Sequence, residues 1–169
     1  TDKLQKEFQV LKLIDAYRTR GHLFTETNPV RERRVYTPNL DIENFGLSSA
    51  DLDTVFDAAK ILGHQPSTLK DIIAHLKNVY CKHIGIEYMY MRKPEVIQWI
   101  HDKLNVNDNL PNFDANQKKH ILGKLNEAVS FENFLHTKYV GQKRFSLEGG
   151  ESLIPGLDAV IEAAAEKGV

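Results

Sequence analysis

The chain has 169 residues, 41% of them hydrophobic, and its 22 Lys and Arg residues nearly balance 23 Asp and Glu residues for a net charge of −1. This composition predicts a folded chain that buries about 70% of its unfolded surface, as one domain or one domain plus part of another. It excludes disorder as the main state, and the charge balance argues against nucleic acid or a membrane surface as a partner.

A single cysteine, Cys81, excludes an internal disulfide and is typical of a reducing compartment. No signal-peptide pattern opens the chain and no apolar run is long enough to span a membrane, so we expect an unsecreted protein of the bacterial cytoplasm or the mitochondrial matrix. Cys81 lies in the apolar-spaced run "LKNVYCKHIG", where an inert, partly buried thiol is favoured over a reactive one. Both ends have the pattern of a chain cut from a longer protein.

The first half of the chain is predicted to be helical, with one irregular interruption. Apolar spacing predicts a helix over about residues 2–20 that ends at Gly21. Residues 22–47 contain two prolines and no sustained period, which indicates a long irregular segment. Ser48 or Ser49 then offers an N-cap for a short helix that Gly63 closes.

The next helix has the clearest pattern. Ser67 or Thr68 can cap it, and one face is apolar: Leu69, Ile72, Ile73, Leu76, Val79 and Tyr80. The following "HIGIEYMYMRK" alternates apolar and other residues and is predicted to be extended, without a second strand to pair with. Within it, Glu87 is interpreted as a partner in a structural ion pair, because an unpaired buried carboxylate is costly.

Helices also fill the remainder. Pro94 is placed at a first helical position, and Asp114 with Gln117 fits a capping box. Ser130 is predicted to restart that helix, and a final helix runs from about Ser152 to a terminating glycine near the end of the chain. The whole pattern predicts a mainly α protein with at most one isolated strand.

The chain lacks the common self-contained site motifs. It has no G-x-G-x-x-G, no G-x-x-x-x-G-K-[ST], no H-E-x-x-H and no C-x-x-C. Its seven histidines include no pair spaced four residues apart, the spacing that places two imidazoles on one helical face. We therefore expect neither a metal site nor a nucleotide site formed by a local motif.

Two basic clusters have open interpretations. The first lies at the end of the first helix, where the helix dipole favours cations, and consists of Arg18, Arg20 and His22. A solvated helix end is favoured there, with anion contact or domain docking as the alternative. The second, in "VRERRVY", consists of Arg31, Arg33 and Arg34. It is interpreted as a solvated charge run, with a pairing to acidic groups of a partner domain as the alternative.

The stretch "KRFSLEGGES", residues 143–152, combines binding groups with turn residues. Arg144 offers a planar fork of donors and Phe145 offers a face for stacking, while Gly149 and Gly150 allow a tight turn. From the residues alone, a binding loop and a tight turn between helices are equally favoured.

The ordered segments "AYRTRGH", "GLSSADLD", "STLKDIIAHLKNVYC", "HIGIEYMYM" and "SFENFLHTKYVGQKRFSLEGGESLIPGLDAVIEAAAEKGV" closely resemble the N-terminal part of the 2-oxoglutarate dehydrogenase first component. The resemblance covers about residues 11–169 and is most specific in "IGIEYM" and "KRFSLEGGESLIP". It implies a helical domain over residues 1–110. Residues 111–169 would then be a helical lead-in to a truncated cofactor-binding α/β domain whose sheet is missing.

The resemblance also implies an activity for the full-length protein. Such an enzyme, an oxidoreductase of the tricarboxylic acid cycle, decarboxylates 2-oxoglutarate on thiamine diphosphate with magnesium. It passes the succinyl group to the lipoyl-bearing succinyltransferase component of a multienzyme complex, and it is a homodimer. A relative that acts on a different 2-oxo acid is an alternative, and a non-catalytic helical interaction module is another.

Most of the family's site has no counterpart in this chain. The H-R-G-R-L, N-P-S-H and G-D-G motifs are absent, so the fragment alone is predicted to be inactive and to bind neither cofactor nor magnesium. What matches is the K-R-F-S-L-E-G loop, which lies near the active-site entrance in the family. The resemblance therefore implies four entrance residues: Arg144, Phe145, Ser146 and Glu148.

Overall fold

The computed structural model describes residues 2–31 and 39–169. Within these ranges lie five α-helices: α1 (Asp2–Arg20), α2 (Leu69–Tyr80), α3 (Pro94–Asn105), α4 (Ala115–Lys138) and α5 (Leu153–Glu166). Four short 3-10 helices cover Gly21–Phe24, Ile42–Phe45, Ser49–Asp51 and Asp57–Leu62. The strands β1 (Val55–Phe56) and β2 (Ser67–Thr68) pair in antiparallel fashion. The prediction of a mainly helical fold is confirmed, and none of the described helices has the length and apolar character needed to cross a membrane.

The chain divides into two compact units, Thr1–Pro111 and Asn112–Val169. The core of the first unit is formed by α1, α2 and the irregular segments around them. Its fully buried large side chains include Val10, Leu13, Phe56, Leu69, Leu76 and Tyr88. The predicted apolar face of α2 is buried as expected, except that Ile73 is only partly buried against this core.

Gly21, the first residue after α1, is a glycine for a steric reason. A Cβ at this position would lie 2.6 Å from Cβ of Tyr80, so only glycine allows the chain to pass this close to the end of α2. The predicted extent of α1 and its end at Gly21 are therefore confirmed.

The predicted single helix between Ser48 and Gly63 is wrong. Its ends are as expected, because Ser48 forms a capping box with Asp51 and Gly63 closes the segment at φ +80°. Between them, β1 interrupts the helix by pairing with β2, and the carbonyl of Thr54 accepts a hydrogen bond from the amide of Leu69 at 3.1 Å. Long-range pairing overrides local helix propensity here. The prediction of at most one isolated strand is also wrong, because β1 and β2 pair with each other and residues 84–88 belong to no strand.

The second unit contains α4 and α5. Asp114 caps α4 by accepting hydrogen bonds from the amides of Asn116 and Gln117 at 2.7 and 2.8 Å. The Asp114 amide in turn donates to Oε1 of Gln117 at 2.9 Å, so the predicted capping box is confirmed. The predicted restart at Ser130 is wrong, because α4 continues through it to Lys138. Ser130 is exposed, and a solvent-facing serine costs a helix interior little.

Candidate functional site

The loop that joins α4 to α5 is attached to α4 by one carboxylate. Glu132 accepts a hydrogen bond from the Ser146 hydroxyl at 2.7 Å and another from the Leu147 amide at 2.7 Å. These two hydrogen bonds hold the pKa of Glu132 below its usual value, and the bond from the Leu147 amide has the larger effect. Glu132 is therefore ionised at neutral pH and fixes the middle of the loop.

The residues after Ser146 form a tight turn. The Ser146 hydroxyl oxygen accepts from the Glu148 amide at 3.0 Å, and the Gly150 amide donates to the Leu147 carbonyl at 2.6 Å. Gly149 has φ +87°, a left-handed conformation that favours glycine. Ser146 and Gly149 therefore serve the turn, which accounts for the second half of "KRFSLEGGES".

Arg144 lines a cavity between the end of α4 and the loop. Its Nη2 lies 2.6 Å from Nδ1 of His136, so this contact requires that Nδ1 is an unprotonated acceptor. The cavity has a volume of about 460 Å³ and is lined by His136, Tyr139, Val140, Gly141, Gln142, Lys143, Arg144 and Ser146. The lining has two permanent cations and no carboxylate, and it can therefore accommodate a carboxylate or phosphate group.

Phe145 and Glu148 point away from any packed environment. The side chain of Phe145 is 90% exposed, and Nζ of Lys143 lies 5.8 Å from the centroid of its ring. Glu148 is also exposed. An aromatic ring this exposed gains little stability from burial, so it is free to contact another molecule or another part of a larger protein.

Sequence reasoning identified the loop but missed its two anchors on α4, Glu132 and His136. They are four residues apart and therefore share one helical face, the face toward the loop. The four-residue spacing shows that Glu132 and His136 share a helical face. It identifies them as contacts of the loop only once the chain is known to turn back over α4 after Lys138.

The basic cluster at the end of α1 is partly buried. Arg18 is only 7% exposed, and its Nη2 donates to the Ile61 carbonyl at 3.3 Å. Its Nε has no hydrogen-bond partner among the residues that the structure describes, and the same holds for Nε of Arg20 and Nδ1 of His22. Arg18 is therefore part of the interior of the first unit, and the interpretation of this cluster as a solvated helix end is wrong for Arg18. In the second basic run, Arg31 is exposed, whereas Arg33 and Arg34 lie outside the described residues.

Two further predictions concern single side chains of the first unit. Glu87 lies 3.6 Å from Nε2 of His22, at the surface, where the pair is charged only when His22 is protonated. Cys81 is partly buried, and burial raises the pKa of its thiol to about 11. A thiol with that pKa is protonated at neutral pH, in agreement with the interpretation of Cys81 as inert.

A histidine cluster in the first unit was not expected from the sequence. His75 is buried, its Nδ1 lies 2.6 Å from Oδ1 of Asp108, and its Nε2 lies 3.0 Å from Oδ1 of Asn105. Nε2 of His64 lies 3.3 Å from Nδ1 of His75. Burial lowers the pKa of His64, and the charge of His75 lowers it further. Because both ring nitrogens of His75 have partners within the unit, this cluster joins α2 to the end of α3.

The cavity beside Arg144 lacks the carboxylate ligands that a magnesium ion usually takes. Mg²⁺ takes oxygen ligands and is usually held by one or two carboxylates, whereas the cavity beside Arg144 is lined by none. The chain also contains no G-D-G sequence. What the cavity offers is a place for one anionic group.

Comparison with known proteins gives a consistent result over the full chain. No family model matches it. It is 44% identical over 167 residues to the multifunctional 2-oxoglutarate metabolism enzyme of Mycolicibacterium vanbaalenii, covering 97% of this chain and 13% of that protein. It is 42% identical to the 2-oxoglutarate dehydrogenase E1 component of Cupriavidus necator, covering 100% and 18% respectively. It is 41% identical to the 2-oxoglutarate dehydrogenase E1/E2 component of Corynebacterium glutamicum, covering 98% and 14%.

These relatives confirm the resemblance found in the sequence: the chain is homologous throughout to a segment of 2-oxoglutarate dehydrogenase first components and multifunctional 2-oxoglutarate metabolism enzymes. The chain spans less than a fifth of the length of each of these relatives.

Proposed function

We propose that this chain is the N-terminal helical part of a 2-oxoglutarate dehydrogenase first component. The whole protein would decarboxylate 2-oxoglutarate and transfer the succinyl group to a lipoyl carrier in the tricarboxylic acid cycle. The observation that supports this is the 41–44% identity to relatives named for 2-oxoglutarate, over 97–100% of the chain. Identity at that level over so long a stretch is far beyond a motif match.

Within that protein, we assign the loop between α4 and α5 to the active-site entrance. Arg144 would contact a carboxylate or phosphate group, and Phe145 would form the apolar wall beside it. Ser146 would hold the loop in shape through Glu132, and the Glu148 carboxylate would lie at the rim. The assignment is supported by the carboxylate-free cavity beside Arg144 and by the 90% exposure of Phe145.

The remaining machinery belongs to other parts of the proposed full-length protein. Thiamine diphosphate, with magnesium, supplies the covalent chemistry of decarboxylation when bound, and the protein supplies binding, orientation and proton transfer. This chain would contribute the loop and the surface that carries it. By itself it would be inactive. The proposed partners are the rest of its own chain, a second copy in a homodimer and a lipoyl-bearing succinyltransferase.

The proposal is tested with the full-length protein. Purified with thiamine diphosphate and Mg²⁺, it should release CO₂ from 2-oxoglutarate in the presence of an artificial electron acceptor, and release should require the cofactor. Faster turnover of a longer 2-oxo acid would reassign the substrate. Absence of cofactor-dependent release from every 2-oxo acid would contradict the enzyme and favour a non-catalytic interaction module.

A second test uses the 169-residue chain alone. Because its sequence has no G-D-G motif, calorimetry with thiamine diphosphate and Mg²⁺ should show no binding tighter than millimolar. Saturation in the micromolar range would mean that this chain holds the cofactor itself, which would contradict the proposed division of the site.

A further inference from the structure

A cluster of three potential metal ligands joins the two helices of the second unit. Nε2 of His120, on α4, lies 2.7 Å from Oδ2 of Asp158, on α5. Glu162 follows Asp158 by one helical turn and therefore shares its face of α5. One ligand atom from each of His120, Asp158 and Glu162 lies within 4.8 Å of the other two.

The chemistry and dimensions of this cluster suit a transition-metal ion. One imidazole nitrogen and two carboxylate oxygens form a mixed set that Zn²⁺ and neighbouring divalent ions accept. Bonds of about 2.0–2.2 Å place two ligand atoms of a tetrahedral ion roughly 3.4 Å apart. The side chains are exposed or half-exposed, so small rotations are sufficient to reach that spacing, and water can fill a fourth position.

Lys124 sets the strength of such a site. It lies one helical turn after His120, and its Nζ is 3.0 Å from Oδ1 of Asp158. It thus occupies Oδ1 of Asp158, and a metal ion would replace the contact between Oδ2 of Asp158 and Nε2 of His120 and take both atoms as ligands.

We propose that His120, Asp158 and Glu162 bind one divalent transition-metal ion of the Zn²⁺ type, which links α4 to α5. The neighbouring ammonium group of Lys124 repels the cation and competes for Asp158, so affinity should be moderate and should rise when Lys124 loses its charge. This site is independent of the proposed enzyme activity, since it uses none of the loop residues.

The test is titration of the 169-residue chain with ZnCl₂ by calorimetry, and with CoCl₂ by visible absorption. The wild-type chain should bind one ion saturably. His120→Ala should weaken binding by about tenfold or more, and Glu162→Gln, which keeps the side-chain shape, should also weaken it. Lys124→Met should strengthen binding several-fold. Far-UV circular dichroism of each variant checks that the helices persist.

His64→Ala is the matched control, because His64 belongs to the other histidine cluster. It should leave the zinc affinity unchanged. Loss of binding in His64→Ala with retention in His120→Ala would place the ion in the first unit and overturn the proposal. Absence of saturable binding by the wild-type chain, or equal affinity of the wild type and Glu162→Gln, would also overturn it.

Discussion

The two units place their apolar side chains differently. Among the described residues, every member of the hydrophobic core lies in the first unit, between Val10 and Leu104. In the second unit, no residue of α4 or α5 is buried, and large apolar side chains such as Leu122 and Ile161 are more than 60% exposed. The first unit is thus stabilised by burial. The second depends on caps, ion pairs and turn geometry, and similar substitutions should have different effects in the two.

The largest difference is expected for leucine truncation. Leu76 is fully buried, so Leu76→Ala should cost about 2–5 kcal/mol of unfolding free energy through lost burial and a residual cavity. Leu122 is 65% exposed, and Leu122→Ala should change it by less than about 0.5 kcal/mol. Urea denaturation followed by circular dichroism measures both. Equal losses would contradict the contrast between the units.

A buried polar group of the first unit should have the next largest effect. Asp51 is 4% exposed and accepts hydrogen bonds from Lys6 at 2.7 Å and from the amide and hydroxyl of Ser48. Asp51→Ala should therefore cost about 1–3 kcal/mol, since it removes a cap and leaves those donors unpaired. Thermal melting measures the loss. The exposed Asp53 offers a control, because Asp53→Ala should be nearly neutral.

The Asp51 carboxylate should also make the stability of the first unit depend on pH. The hydrogen bond from Lys6 holds the pKa of Asp51 below its usual value in the folded chain. The pKa of Asp51 is lower in the folded than in the unfolded chain. Its contribution to the free energy of unfolding is therefore complete above the unfolded-state pKa and is lost as pH falls through the folded-state pKa. The melting temperature of the wild type should thus fall more steeply below about pH 4 than that of Asp51→Ala. Parallel curves would contradict this assignment.

Substitutions at two glycines of the second unit distinguish the effect of backbone strain from that of packing. Gly149 has φ +87° and no atom within 4 Å of an added Cβ, so Gly149→Val should cost about 1–2 kcal/mol through strain alone. Gly156, inside α5, has the same open surroundings without a positive φ, and Gly156→Ala should be neutral or slightly stabilising. A neutral Gly149→Val variant would show that the turn relaxes freely.

The smallest effect is expected at the start of α4. Asp114 caps two amides in an exposed position, and Asp114→Ala should cost about 1 kcal/mol. Because the loss is local, amide hydrogen exchange should accelerate mainly in the first turn of α4. Acceleration spread evenly through the first unit would mean that the two units unfold together.

Local signals made much of the fold predictable. The caps at Thr68 and Asp114, the proline at the start of α3 and the glycine that ends α1 each act within a few residues, and all lie where the sequence placed them. The resemblance to the 2-oxoglutarate dehydrogenase first component was equally accessible, because it rests on long contiguous segments.

The features that escaped prediction depend on distant pairing. The strand pair that replaces helix between Asp51 and Asp57 needs β2 beside it, and no local propensity shows that. The contact between His120 and Asp158 spans 38 residues. The attachment of the loop to Glu132 likewise depends on the chain folding back over α4, which the sequence pattern alone does not establish.

The most direct test of the account is Arg144→Ala, measured twice. In the full-length protein, it should lower kcat/KM for 2-oxoglutarate by about tenfold or more, because loss of a charge-assisted contact costs about 1.5–3 kcal/mol. In the 169-residue chain, it should leave the melting temperature nearly unchanged, because Arg144 is exposed. Intact kinetics combined with a melting temperature several degrees lower would contradict the account and make the loop only a turn.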